Sequence, residues 1–446
     1  MRDWLKREPI VIVDAKGAVL RDSRGRQYLD ANSSIWTNLH GHRHPKINAA
    51  LRRQLGKIAH SSALGLASVP ASFLAQKLVR AANAGPARTA ARQLRRVFFS
   101  DDGSTAVEAA LKMAHQFACR ACPGREPKFL ALGGAYHGDT IGAVSLGHID
   151  LFHRAYGGLL FKSDSVPAPY CYRCPFNRAT PERADAREYR RCHWECAGLV
   201  EQKFEARQSK GGYAAFVFEP LMQGAAGMIA HPKGWLRRVA AIARAHGALL
   251  IADEVMTGFG RSGALFACHQ ESVQPDLMAL AKGMTGGYLP MAATLVTQRI
   301  FNAFLGRYDE FKTFYHGHSY TANQLGAAAS LASLDILQSA RCQAARRILE
   351  KTLARELQSL WSLPAVGDIR QAGLMAGVEL VKNWKTREPF AARDRVGLRV
   401  CQALARRGVL TRPVGDVIVL MPPYCTTPAQ ARRMVAALRE AVAEVC

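Results

Sequence analysis

Between residues 95 and 297 short apolar runs alternate with amphipathic stretches: RRVFFS, PKFLAL, YAAFVFE, GALLIAD, DLMALAK and MAATLVT are each separated by turn signals or helical periodicity. Brief apolar runs of this kind read as strands buried on both faces, and their alternation with helices predicts a mostly parallel α/β sheet with helices on both sides. This pattern constrains the chain more than any other, because parallel strands need long crossovers and leave ligands to bind beyond their carboxyl ends. Upstream, residues 9–31 read as a short antiparallel meander, followed by helical patterns at 46–58 and 70–83. After about 325 the texture changes to a long helical stretch, Leu325 to Leu360, then short strands in GDIRQAGLMAGVEL and a last helix. The expected division is an N-terminal segment, 1–60, that joins a smaller α+β domain at 325–446, with a large domain at 61–324 between them.

At 446 residues the chain exceeds the size at which one core stops growing. The formal charge of +25 raises the question of nucleic acid. The arginines, however, are scattered over helices such as WLRRVAAIARAH, with no basic tail and no basic motif interleaved with aromatics. The charge therefore reads as an Arg-rich solvated surface favouring anionic ligands, and no nucleic-acid partner is expected. MRDWLKREPIVIV lacks the apolar core of a signal peptide, and no run approaches the roughly 18 apolar residues of a membrane span. A cytoplasmic protein with no membrane partner, and with its 11 cysteines mostly reduced, is expected.

The residues just after each apolar run come first in the search for a site. Gly103-Ser104-Thr105 open a helix, offering backbone N–H groups and hydroxyls to a phosphate; alone they read equally as a helix cap. Lys282 follows DLMALA, where apolar surroundings would lower its pKa and make it an amine nucleophile, unless it simply reaches solvent. Asp253 ends GALLIAD and could cap a helix; with a lysine beyond the next strand it could instead hold the proton of a pyridine nitrogen. Tyr136 could stack on such a ring or pack in the core. Glu219 follows AAFVF.

Taken together, DDGSTAVEAALKMA, GAYHGDTIGA, VFEPLMQGAAGM, LLIADEVMTGFGR, ALAKGMTGG and HGHSYTANQLG resemble the class III, fold-type I pyridoxal-phosphate aminotransferases over nearly the whole chain. WTNLHGHRHPKINAAL, YHGDTIGAVSLG, KTFYHGHSYTANQLG and LTRPVGDVIVLMPPY are similar to the narrower group that aminates 8-amino-7-oxononanoate in biotin biosynthesis. The resemblance implies pyridoxal 5'-phosphate as cofactor, with Lys282 as its covalent anchor and proton shuttle and Asp253 as partner of the ring nitrogen. It further implies Gly103, Ser104 and Thr105 at the phosphate, with Ser319 reaching it from the neighbouring subunit of a homodimer. Tyr136 is implied against the ring, and Trp36, Tyr136, Lys282, Gly317 and Arg412 at the substrate, Arg412 gripping its terminal carboxylate. Glu219 and Arg261 match positions near the site, and His137 is either part of it or a structural histidine. Another class III enzyme, acting on an ω-amino acid or a diamine, is the alternative.

The sequence departs from that group in three places. It starts just after the Trp-x-Pro-aromatic-Thr segment that normally opens the family's chain. Ile35 stands where a second tryptophan is usual beside Trp36, and Val419 where enzymes using S-adenosylmethionine often carry tyrosine. Both changes bear on the amino donor, S-adenosylmethionine or lysine. Between 171 and 196 the run CYRCPFNRATPERADAREYRRCHWEC has zinc-like spacing, but the fold it implies needs no metal. Free thiols are expected there, and Cys171, Cys174, Cys192 and Cys196 would be the ligands of any metal.

Overall fold

The computed structural model describes residues 8–85, 89–121, 123–124 and 127–446; the first seven residues of the expected N-terminal segment lie outside them. The six apolar runs, with a short seventh strand that was not expected, Asp164–Val166, form one sheet in the order Leu94–Ser100, Ala292–Thr297, Leu277–Leu280, Leu249–Asp253, Tyr213–Phe218, Lys128–Leu132 and Asp164–Val166. Every residue of Tyr213–Phe218, Leu249–Asp253 and Leu277–Leu280 is buried, as continuous apolar strands between two helical layers require. One face packs on the helix Gly103–Ala121, the other on Glu195–Gln208 and Trp235–Ala245.

Ala292–Thr297 runs antiparallel to both neighbours. The link from Lys282 to Met291 contains turns and no helix, too short for a parallel crossover, so the chain returns beside the strand it has just left. The helical stretch after 325 is two helices, Gln324–Gln338 and Ala340–Leu357. Ser339 breaks them: its extended backbone (ψ 143°) lets its side chain accept the N–H of Cys342 at 3.3 Å and start the second helix.

The C-terminal part is a four-stranded antiparallel sheet in the order Val366–Ala372, Met375–Leu380, Val417–Leu420 and Pro413–Val414. It shares a core with Ala340–Leu357, Val396–Arg406 and Pro428–Val445. The meander Ile12–Lys16, Val19–Asp22 and Gln27–Asp30 extends to Val409–Leu410, which pairs in parallel with Leu29 and Asp30. Leu29 and Ala31 lie in that same core. Among the described residues no helix is long and apolar enough to cross a membrane.

Candidate active site

The carboxyl ends of the central strands open on a cavity of about 510 Å³. Register places Asp253, the last residue of its strand, beside Ala279, and the neighbouring strand ends at Leu280, two residues before Lys282. Both side chains therefore emerge on one rim, and both line the cavity with Gly103, Ser104, Tyr136 and Trp36. Burial lowers the Lys282 pKa, against the opposing pull of Asp253, Glu219 and Asp102. The amine is thus biased toward its neutral, nucleophilic form.

Asp253 is 5% exposed and fully engaged. Its Oδ1 accepts the N–H of Val255 at 3.0 Å, and its Oδ2 lies 2.7 Å from Nδ1 of His137. Burial would lower the His137 pKa, but the bond and charge of Asp253, with Glu219 behind, raise it. His137 is therefore part of the site, holding the aspartate in place from the YHGD turn. Glu219 accepts the N–H groups of Tyr136 at 3.2 Å and Gly224 at 2.8 Å, and burial pushes its carboxyl up to about 7. The second acid of the strand end has a different task. Glu254, wholly buried, accepts the Thr257 hydroxyl at 2.7 Å and the Cys268 N–H at 2.8 Å, fastening the turn that follows.

At the other end of the cavity the 19-residue helix begins. Thr105 is occupied locally: its N–H reaches Oδ1 of Asp102 at 2.9 Å and its hydroxyl the Asp102 carbonyl at 2.8 Å. Ser104 Oγ lies 2.7 Å from Oγ1 of Thr140 and accepts the Thr140 N–H at 3.0 Å. This pair draws the YHGD loop onto the helix start. Gly138 makes the approach possible, since it has φ +120° and a Cβ there would lie 2.4 Å from Ser104 Oγ. Asp102, Asp139 and Thr140 line the cavity too, and sequence reading did not single them out. Their place in DDGST and YHGDT, next to residues that it did, was the available signal.

Trp36 reaches the cavity by an unusual backbone. Ser33, Ser34, Ile35 and Trp36 have φ of 48°, 49°, 62° and 70°, a single turn of left-handed helix. Each such residue costs an L-amino acid roughly 1–2 kcal/mol, and for a β-branched residue like Ile35 the conformation is rare. The turn sets the indole 5.7 Å from the Lys282 nitrogen and turns Ile35 outward, 49% exposed. Val419 is fully buried in an apolar cluster with Trp36, Met222, Met228, Met256, Met375 and Met421. In the single chain neither Ile35 nor Val419 lines the cavity.

The remaining candidates are dispersed. The Tyr136 hydroxyl donates to Asp139 at 2.8 Å, and its ring stacks with His153 at 6.5 Å. Burial and Asp139 together push its pKa up, while the Arg412 charge opposes them. Arg412 is itself exposed and outside the wall. Gly317 and Ser319 are exposed and outside it as well. Arg261 is fully buried, donating to the carbonyls of Pro422 at 2.8 Å and of Trp36 and Asn38 at 3.4 Å, so it braces the cavity wall from behind. Cys171, Cys174, Cys192 and Cys196 are free thiols around one small separate cavity. Among the described residues no group of three or more His, Cys, Asp or Glu could hold a metal ion.

The cavity wall carries the donor set that pyridoxal phosphate requires: a helix start with hydroxyls, a half-buried amine and a buried carboxylate. The comparisons agree. The family described as Aminotransferase class-III matches residues 3–442. The adenosylmethionine-8-amino-7-oxononanoate aminotransferase of Nitratidesulfovibrio vulgaris is 49% identical, over 100% of this chain and 79% of its own. The enzyme of the same name from Geobacter sulfurreducens is 46% identical over 99% and 94%. The crystal structure of that enzyme from Methanocaldococcus jannaschii superposes with a TM-score of 0.89 at 38% identity, covering 100% of this chain and 95% of that one. An amine transaminase from an uncultivated Pseudomonas species, in its PLP-bound form, gives 0.89 at 33% identity over 99% and 96%. Fold, cavity and full-length likeness together establish that the chain belongs to the class III aminotransferases.

Proposed function

We propose that this protein is a pyridoxal-phosphate aminotransferase that converts 8-amino-7-oxononanoate to 7,8-diaminononanoate in biotin biosynthesis, with S-adenosylmethionine as amino donor. The observation that carries the chemistry is one cavity lined by Lys282, by the hydrogen-bonded Asp253–His137 pair and by a helix start. The substrates come from the name shared by full-length relatives at 40–49% identity. The cofactor, when bound, supplies an electron sink for the carbon that loses its proton.

In this reading Lys282 Nζ, biased toward its neutral form by burial, would hold the cofactor and carry the proton between carbons. Asp253, held by His137, would pair with the ring nitrogen and keep it protonated. Gly103 and Ser104 would bind the phosphate, joined by Thr105 once it exchanges its bonds to Asp102; Tyr136 and Trp36 would wall the ring and substrate. Arg412 pairs with the substrate carboxylate, a task for a planar fork of donors. S-adenosylmethionine is preferred over lysine because it is the donor in the name those relatives share.

Gly317 and Ser319, exposed in a single chain, reach the cofactor and substrate of a second copy. The exposed Leu64, Leu66, Val69 and Phe73, with Tyr308 and Tyr320, supply apolar surface for that homodimer. The large domain spans 61–324, and the N-terminal segment belongs with the small domain. The protein works in the cytoplasm.

The test is product analysis. Purified protein with pyridoxal phosphate, S-adenosylmethionine and 8-amino-7-oxononanoate should form 7,8-diaminononanoate; activity only on ω-amino acids or diamines would assign it to the other class III branch. Solution mass should correspond to two chains.

A further inference from the structure

A run of four left-handed residues needs something to hold it, because strained backbone persists only where its surroundings over-determine it, and it collects at functional sites. Here the holder is Asp30, 2% exposed. Its Oδ1 accepts the N–H groups of Asn32 at 3.1 Å and Ser34 at 3.2 Å, and its Oδ2 accepts the Ser34 hydroxyl at 3.3 Å. One carboxylate thus caps the first half of the turn.

Further contacts close the other end of the turn. Nδ2 of Asn38 donates to Nδ1 of His42 at 3.0 Å, and the His42 ring lies against the carboxylate, its Nε2 3.5 Å from Asp30 Oδ2 without a hydrogen bond. The Ser33 hydroxyl donates to the Met421 carbonyl at 2.6 Å, and Arg261 reaches the carbonyls of Trp36 and Asn38. Beyond the turn the Trp36 side chain rests on methionines, soft side chains that fill space without fixing orientation. The indole's position over Lys282 is therefore set from its backbone.

We infer that Asp30 is a positioning residue: it holds the Ser33–Trp36 turn left-handed and so keeps Trp36 as the wall of the cavity over Lys282. The inference rests on the proposed reading of that cavity as the cofactor site. It makes Ile35 the point of strain, exposed and β-branched at φ 62°, where glycine would adopt the same conformation without penalty.

The experiment follows the holoenzyme without any amino substrate. Hydroxylamine strips bound pyridoxal phosphate, and the rate at which it bleaches the visible band reports access to Lys282. Asp30→Ala should bleach about tenfold faster than wild type, one decade of loosened wall. Asp30→Asn, which keeps an acceptor for the two N–H groups, should stay within a few-fold of wild type. Ile35→Gly should melt higher than wild type, and in the Asp30→Ala background it should return the bleaching rate most of the way. With S-adenosylmethionine and 8-amino-7-oxononanoate, Asp30→Ala should lower kcat/KM by a similar factor, mostly through KM.

Unchanged bleaching in a folded Asp30→Ala, or an Ile35→Gly that lowers the melting temperature and rescues nothing, overturns the inference. Where Asp30→Ala fails to fold, the Ile35→Gly melting shift and the Asp30→Asn rate decide it. A wild type that takes up the cofactor but does not act on 8-amino-7-oxononanoate refutes the substrate reading and leaves these readouts standing; one that takes up no cofactor refutes the site.

Discussion

Replacing Asp253 by asparagine isolates the charge at the strand end. Asparagine keeps the side-chain shape, and its Oδ1 still accepts the Val255 N–H now bonded at 3.0 Å. Its Nδ2 then faces His137 Nδ1, and the imidazole becomes an acceptor by moving its proton to Nε2. That nitrogen is already buried without a partner, so the exchange costs the fold little. The aspartate charge that opposes burial is gone, so His137 becomes neutral more readily. The chemical step loses one charge-assisted bond inside a buried site, worth about 3 kcal/mol or roughly a hundredfold in rate. The assay is single-turnover bleaching of the visible band of the loaded enzyme by S-adenosylmethionine. The variant should bind cofactor, melt within a few degrees of wild type, and bleach about a hundredfold more slowly. Bleaching within threefold of wild type would refute the role given to Asp253.

Four further outcomes follow from the same geometry. Lys282→Ala should retain a folded protein and abolish steady-state turnover; appreciable turnover would remove Lys282 from its role. Arg412→Ala should raise KM for 8-amino-7-oxononanoate about tenfold, the exposed guanidinium being screened by solvent, and leave the donor half-reaction nearly unchanged. Gly138→Ala should cost about 1–3 kcal/mol in denaturant melts and weaken cofactor affinity, because the new methyl meets Ser104 Oγ at φ +120°. Glu219 has a folded pKa near 7 against 4.5 unfolded, so its stabilising protonation is complete below about 4.5 and lost as pH rises through 7. Relative to Glu219→Gln, the apoprotein should therefore lose about 2–3 kcal/mol between pH 4.5 and 8; a pH-independent difference would contradict this.

The strands of the large sheet were legible because burial on both faces writes them as continuous apolar runs, and the polar residues that interrupt those runs, Asp253 and Lys282, could only face a ligand or a partner. The direction of Ala292–Thr297 was not legible, since an antiparallel strand buried on both faces has the same composition as a parallel one; only its short, helix-free link to Lys282 distinguishes it. Ser339 likewise sits in an unbroken helical period, and its cap bond is visible only in three dimensions. The left-handed turn is the largest gap. Ser-Ser-Ile-Trp has no glycine to announce positive φ, and the strain is imposed by Asp30, Arg261 and Met421, contacts remote or invisible to local propensity. The placement of Ile35 at the surface and of Val419 in the apolar cluster with Trp36 was for that reason not legible either.

The central claim, that one cavity built around Lys282 and Asp253 moves an amino group from S-adenosylmethionine to 8-amino-7-oxononanoate, is tested most directly by the two half-reactions in sequence. Loaded enzyme is mixed with S-adenosylmethionine until its visible band is lost, freed of donor by rapid gel filtration, and then given 8-amino-7-oxononanoate. The account predicts bleaching by S-adenosylmethionine and not by lysine, followed by return of the band with one 7,8-diaminononanoate formed per site. Failure of S-adenosylmethionine to bleach, or failure of 8-amino-7-oxononanoate to restore the band, would contradict it.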